Sequence, residues 1–393
     1  MRKSLFIFRR DLRIKNNIGL YYACKEYDIV YCIFIFDDRQ QKKQNKYFSD
    51  NAFSFMIESL EDLMTHIPLN IYYGNVIKII SKIIRANDID AIIVNEDYTP
   101  FSIMRDTEIK NAFPDIIFQS YDDVCLNSPK TLKPYKIFSP YYKIARKIKV
   151  DKNKYNANID KIRIIPNSHK SHLPVPNNNQ LRQRGGRTLG KRLLNNVNNI
   201  HYELRDNLMH ETSRLSPHLK FGTISVREVY HKAKKEKFIR QLYWRDFYMQ
   251  IVYYFPHVLS GQNFHNPSSN KRKWSNNMNN FKKWCNGDTN EPLIDAAMNQ
   301  LNTTGYMHNR CRMIVVSYLT HHYNIHWKYG EQYFATQLTD YDPANNNGGW
   351  QWSAGTGCDP QAWKHIFNPA RQQKKYDKNN LYLLRYNKKI QWR

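Results

Sequence analysis

The chain has 393 residues, 41% hydrophobic and 14% aromatic, which suits two domains with substantial cores and excludes wholesale disorder. Its 60 Lys and Arg against 34 Asp and Glu leave a formal charge of +26, which attracts polyanions, nucleic acid first among them because counterion release gives affinity without reading sequence. Six scattered cysteines with no Cys-x-x-Cys pair, an apolar start broken by Arg9 and Arg10, and no run near the ~20 apolar residues of a spanning helix exclude a short-spaced zinc site, a signal peptide and a membrane helix, and lead us to expect a soluble intracellular protein.

Residues Lys3 to Phe8 form a short apolar run ending in Arg9-Arg10-Asp11-Leu12-Arg13, as a buried strand does where it meets a charged loop. A helix is predicted over Asn17 to Glu26, then a strand over Ile29 to Phe36 rich in β-branched and aromatic residues. The alternation continues with a helix over Ser49 to His66, a strand near Leu69 to Tyr73 and a helix over Val76 to Asn87. A strand over Ala91 to Val94, a helix over Ser102 to Phe113 and a strand over Ile116 to Phe118 complete it. Continuous apolar strands between amphipathic helices predict a Rossmann-like parallel α/β domain over residues 1–125, covered on both faces. Such a sheet binds ligands at the carboxyl ends of its strands, where Arg9 to Arg13 and Asn95 to Thr99 sit. No Gly-x-Gly-x-x-Gly occurs there, and the basic run reads best as a salt-bridge cluster.

From Leu126 to Arg187 prolines, asparagines and lysines take over, as in a long interdomain linker. Residues 188–393 then read as an all-helical domain. Apolar residues recur at i, i+3 and i+4 in Ser225 to Lys237, Phe238 to Phe255, Phe281 to Asn286, Leu293 to Thr303, His308 to Tyr323 and Lys328 to Asp340. Polar clusters inside a helical domain of this size imply a ligand between the helices.

The densest cluster lies between Pro292 and Asp359, where Asp340, Asp342, Asn345, Asn346, Asn347, Trp350 and Trp352 suit a buried polar ligand with a flat ring. Upstream, Thr212-Ser213-Arg214-Leu215-Ser216-Pro217 offers three hydroxyls before a helix start. That suits a phosphate, whereas a plain N-cap needs only one hydroxyl. Gln241, Trp244 and Tyr248 fall along one helix edge and could hold a heterocycle by edge and face; taken alone, an aromatic core stripe explains them better. Arg310 and Arg312 point roughly 200° apart on a helix, one towards Asp340 or Asp342 and the other towards an external phosphate.

Together these motifs resemble the photolyase and cryptochrome family of flavoproteins, and within it the class I cyclobutane pyrimidine dimer photolyases. The resemblance is carried by Phe8 to Arg13, Thr212 to Pro217, Trp244 to Tyr248, Asp295 to Met298, Thr304 to Arg310 and Asn346 to Trp352, and spans nearly the whole chain. It implies a helical FAD-binding domain in which Tyr202, Thr212, Ser213, Leu215, Ser216, Phe238, Arg245 and Asn309 bind the cofactor. It further implies an ion pair of Arg312 and Asp340 across the flavin, Asp342 at the ring edge and Asn346 facing N5. Trp350, Trp327 and Trp284 match an electron relay from the protein surface to the flavin. Trp244 and Trp352 would clasp a flipped-out dimer, Gln241 and Met313 would touch its edges, and Arg310, Gln372 and Lys375, with Asn309, would contact flanking DNA. The implied activity is light-driven repair of dimers in damaged DNA by a monomer, with no metal and with a second antenna pigment of unspecified identity.

Three positions depart from the family pattern. Gln241 stands where glutamate is usual, and Tyr306 replaces the usual tryptophan. Tyr98-Thr99-Pro100-Phe101-Ser102 lacks the Asn-Glu pair of folate-antenna enzymes. A (6-4) photolyase and a cryptochrome-type light sensor are the alternatives.

Overall fold

A computed structural model describes residues 1–166, 172–175, 181, 183–265, 272–358 and 366–387. The amino-terminal half alternates β1 (Lys3–Phe8), α1 (Ile18–Glu26), β2 (Ile29–Asp37), α2 (Asp50–Met64), β3 (Asn70–Gly74), α3 (Val76–Asn87), β4 (Ala91–Asn95), α4 (Pro100–Ala112) and β5 (Ile117–Tyr121). The strands pair in parallel in the order β3-β2-β1-β4-β5, so the chain changes direction across the sheet between β1 and β4. The alternation of side chains explains why β1 is apolar from Leu5 to Phe8. Phe6 and Phe8 enter the core on one face, Leu5 and Ile7 the core on the other. Helices α1, α2, α3 and α4 begin where Asn17, Ser49, Asn75 and Thr99 accept a backbone N–H three residues on.

The described part of the expected linker holds a helix, α5 (Phe138–Ala145), and a strand, β6 (Ile162–Arg163), with short 3-10 turns at Pro129–Thr131 and Ile159–Lys161. Strand β6 pairs with Val30 and Tyr31 of β2, beside the length that β3 leaves free. Residues 167–171, 176–180 and 182 of that stretch lie outside the described residues.

The carboxy-terminal half is helical: α6 (Arg187–Asn196), α7 (Ser216–Lys220), α8 (Val226–Lys232), α9 (Glu236–Tyr254), α10 (Met278–Asn286), α11 (Pro292–Thr304), α12 (Asn309–Ser317), α13 (Trp327–Gln337), α14 (Pro343–Ala354), α15 (Pro369–Tyr376) and α16 (Leu381–Tyr386). Helix α12 ends in a π turn, Tyr318–His322. The helix predicted over Ser225 to Lys237 stops short, because Ala233 turns extended and α9 restarts at Glu236.

The halves are riveted together. Buried Asp123 accepts from Arg13 at 2.5 Å and from Arg227 at 2.7 Å, and both guanidiniums, though burial opposes them, hold its carboxyl below the usual range. Gly222, at φ +65°, lets the helical half approach β1: a Cβ there would lie 2.2 Å from the Arg10 carbonyl oxygen. All six cysteines are buried. Among the described residues no helix is long and apolar enough to cross a membrane.

Candidate functional site

Helix α14 organises the site, and its start is set by a charge from the other half. Asp342 caps it, accepting from the Asn345 backbone at 3.0 Å and the Asn345 side chain at 2.8 Å. Its second oxygen accepts from Arg10 Nη2 at 2.7 Å, with both side chains buried. Burial favours a neutral carboxyl, but Arg10, then Lys220 and Arg245, outweigh it and keep Asp342 well below the usual carboxylate range. The basic run after β1 is a salt-bridge cluster, as expected from its pattern: Arg9 pairs with Asp106 and Arg10 also reaches Asp97. Asp342 as partner of Arg10 has no local signal, since the two lie 332 positions apart.

One turn into α14, Asn346 donates from Nδ2 to the Glu331 backbone oxygen at 3.1 Å and to Glu331 Oε1 at 3.2 Å. Two acceptors on the amide nitrogen fix its orientation and turn Oδ1 the other way. Burial pushes the Glu331 carboxyl up to about 7, against the opposing pull of the Asn346 hydrogen bond, Lys328 and Lys46. Glu331 is invisible as a site residue in sequence, where it is one charge on an amphipathic helix. Further along α14, Gly348 is pressed against the Tyr248 ring, whereas a Cβ on Gly349 would meet no atom within 4 Å. A helix-interior glycine costs about 1 kcal/mol against alanine, and here it opens onto empty space.

Arg312 donates to both oxygens of Asp340 at 3.0 Å and from Nε to the Met307 carbonyl at 3.0 Å. Asn309 lies against Met313 on the same helix, Nδ2 to Sδ 4.0 Å. Arg310 faces another way: it pairs with Asp206 at 2.8 Å and lies over the Tyr376 ring. Of the hydroxyl loop, Thr212 Oγ1 is 3.2 Å from the Tyr306 hydroxyl, Ser213 Oγ accepts from Leu215 at 3.5 Å, and Ser216 opens α7. Arg214 takes a left-handed conformation (φ 51°) and pairs with Glu211. Tyr202 meets the Phe238 ring edge-on at 5.6 Å, and Arg245 donates to the Val124 carbonyl at 2.8 Å.

A second aromatic face sits on α9. Trp244 stacks on Phe138 at 3.6 Å, with Tyr248 on the same helix 5.7 Å away. Gln241 and Trp352 are half-buried, and Gln372 and Lys375 share α15, where Lys375 is exposed.

The indoles form a branched cluster. Trp350 rests on α13 at Gly330, where a Cβ would lie 2.1 Å from its ring, and one turn from Trp327. Trp284 is 6.0 Å from Trp350, edge to face, and donates to the Val315 carbonyl. Trp284 is 0% exposed, so it does not supply the surface end of a relay, which corrects that expectation. Sequence reasoning missed Trp274, which is half-buried, 5.0 Å from His326, whose ring is 5.5 Å from Trp327. The guanidinium of Arg272 lies 4.2 Å over Trp274.

A separate cavity, of about 140 Å³, opens at the carboxyl ends of β1 and β2, lined by Arg9, Arg10, Asp97, Arg105 and Lys220 among others. Arg9 Nη2, Arg10 Nε and Arg105 Nη2 have no hydrogen-bond partner among the described residues. Burial, then Arg10, pushes the Lys220 amine down to about 8. These groups suit an anionic or electron-rich ligand.

Comparison with known proteins agrees with this geometry. Residues 4–157 match the family model for DNA photolyase, and residues 238–391 match that for the FAD binding domain of DNA photolyase. The deoxyribodipyrimidine photo-lyase of Alkalihalophilus pseudofirmus is 30% identical, with 96% of this chain and 86% of that protein covered. Among solved structures, the archaeal photolyase of Sulfolobus tokodaii, described with two FAD molecules, is 40% identical with a TM-score of 0.91, covering 98% of this chain and 90% of that one. A bacterial class III photolyase from Agrobacterium tumefaciens is 27% identical with a TM-score of 0.87, covering 98% and 86%. The parallel α/β half, the helical half and the cluster around α14 together identify the chain as a member of the DNA photolyase and cryptochrome family.

Proposed function

We propose that the chain is a deoxyribodipyrimidine photo-lyase that binds FAD in its helical half and uses light to split cyclobutane pyrimidine dimers in DNA. The observation that carries this reading is α14, where Gly349 opens onto space beside an Asn346 amide that Glu331 holds in one orientation. Reduced FAD, when bound, absorbs the photon and supplies the electron. The remaining work belongs to side chains. Asn346 turns a neutral carbonyl oxygen towards the ligand, which suits an N–H donor at the flavin ring and offers no titrating proton. The Arg312–Asp340 pair and Asp342 line the ring's polar side, and Thr212, Ser213, Leu215, Ser216, Tyr202, Phe238, Arg245 and Asn309 hold the rest of the cofactor.

The lesion is received between Trp244 and Trp352, with Gln241 and Met313 at its edges. The stack of Phe138 on Trp244 keeps that indole in one plane, which suits a rigid wall for one ring of the puckered dimer. Arg310, Gln372 and Lys375 meet flanking DNA phosphates and sugars. Trp350 and Trp327 carry electrons inward, and Trp274 serves as the outer indole in place of Trp284, because its side chain reaches solvent. The cationic cavity beside β1 takes a second chromophore, and the protein acts as a monomer without metal.

The test is an absorption spectrum of the purified protein, followed by light-dependent loss of cyclobutane dimers and of (6-4) lesions in short DNA. Flavin with repair of cyclobutane dimers is expected. Flavin without repair of either lesion would turn the reading towards a light sensor, and colourless protein would end it.

A further inference from the structure

Tyr306 sits on the turn between α11 and α12. Helix α11 stops at Gly305 in the left-handed conformation and α12 is capped by His308, so Tyr306 and Met307 make up the turn itself. The phenol is only 8% exposed, and its hydroxyl lies 3.2 Å from Thr212 Oγ1, 94 positions earlier. The next residue, Met307, gives its carbonyl to Arg312 Nε. One turn therefore connects the hydroxyl loop of residues 212–216 to the Arg312–Asp340 pair.

We propose that Tyr306 is a positioning residue that makes Thr212 a donor to the cofactor's diphosphate, an inference that rests on the FAD reading above. A hydroxyl has one proton and two acceptor sites. The phenol is the more acidic of the two groups, so it donates to Thr212 Oγ1, and the Thr212 proton is left to point away from Tyr306. Phosphate oxygens accept only, so this is the polarity an anion needs, and each bond in such a chain polarises the next. With phenylalanine at 306, Thr212 has no such partner and its proton can turn inwards.

The experiment follows release of FAD from purified protein and the phosphorus resonances of the bound diphosphate, in wild type, Tyr306→Phe, Thr212→Val and the double variant. Tyr306→Phe should release FAD about fivefold faster, as for one net hydrogen bond. Phosphorus resonances should move in both single variants, and the double should release FAD no faster than Thr212→Val. Unmoved resonances in Tyr306→Phe, or additive release rates in the double, would overturn the proposal while the FAD reading stands. Wild-type protein that purifies without flavin would overturn the FAD reading itself.

Discussion

Glu331 is a buried acid whose work is visible only through its neighbour. The folded protein holds its proton more tightly than the unfolded chain does, since burial raises the carboxyl from 4.5 to about 7. Its stabilising contribution is therefore fully present below about 4.5 and lost as pH rises through about 7. Glu331→Gln keeps an oxygen for Asn346 but cannot ionise. The melting temperature of the variant relative to wild type should climb between about pH 5 and about pH 8, and a constant difference would show that Glu331 does not titrate there. The indoles make a second case at this scale. Lys- and Asn-rich surroundings look alike around Trp274 and Trp284, so sequence gives no hint that one meets water and the other the core; burial is a property of the packed helices, not of the flanking residues. Trp274→Phe should slow photoreduction of oxidised flavin more than Trp284→Phe does, measured as bleaching under blue light with an external thiol.

Helix α14 illustrates what is legible in an element and what is not. Its two adjacent glycines look equivalent in sequence, and its N-cap aspartate and amides are readable as polar ligands of something flat. The structure separates the glycines. Gly348→Ala drives a Cβ into the Tyr248 ring, so it should destabilise the fold by about 1–3 kcal/mol, as overpacking does, and be read as a lower melting temperature. Gly349→Ala adds helix propensity in free space and should stabilise flavin-free protein by up to about 1 kcal/mol while lowering flavin content on purification. A parallel fall in stability for both would mean that Gly349 does not face the cofactor. Strands tell the same story. β2 is plain because eight residues from Ile29 to Phe36 run apolar, four of them β-branched, whereas β6 has two residues and no period to read.

For the whole molecule, charge and architecture are legible and the joints are not. Alternating apolar strands and helices announce the parallel half, and i, i+3, i+4 spacing the helical half. Asp123 with Arg13 and Arg227, and Arg10 with Asp342, join residues more than a hundred positions apart, where only folding brings the charges together. The formal +26 predicts steep salt dependence of DNA binding. Replacing Arg371, Lys374 and Lys375, all on α15, with alanine should reduce the slope of log affinity against log salt by about 0.9 for each phosphate no longer neutralised. A slope that does not change would place DNA elsewhere. The burial of all six cysteines has its own consequence under illumination. A flavin exposed to light and oxygen generates oxidants in its own surroundings, and thiols are attacked as thiolates at accessible sites. Burial pushes Cys24, Cys285 and Cys311 up to about 12, so at neutral pH they remain protonated as well as sheltered. Prolonged blue light should therefore leave the chain's thiol content intact until the fold opens.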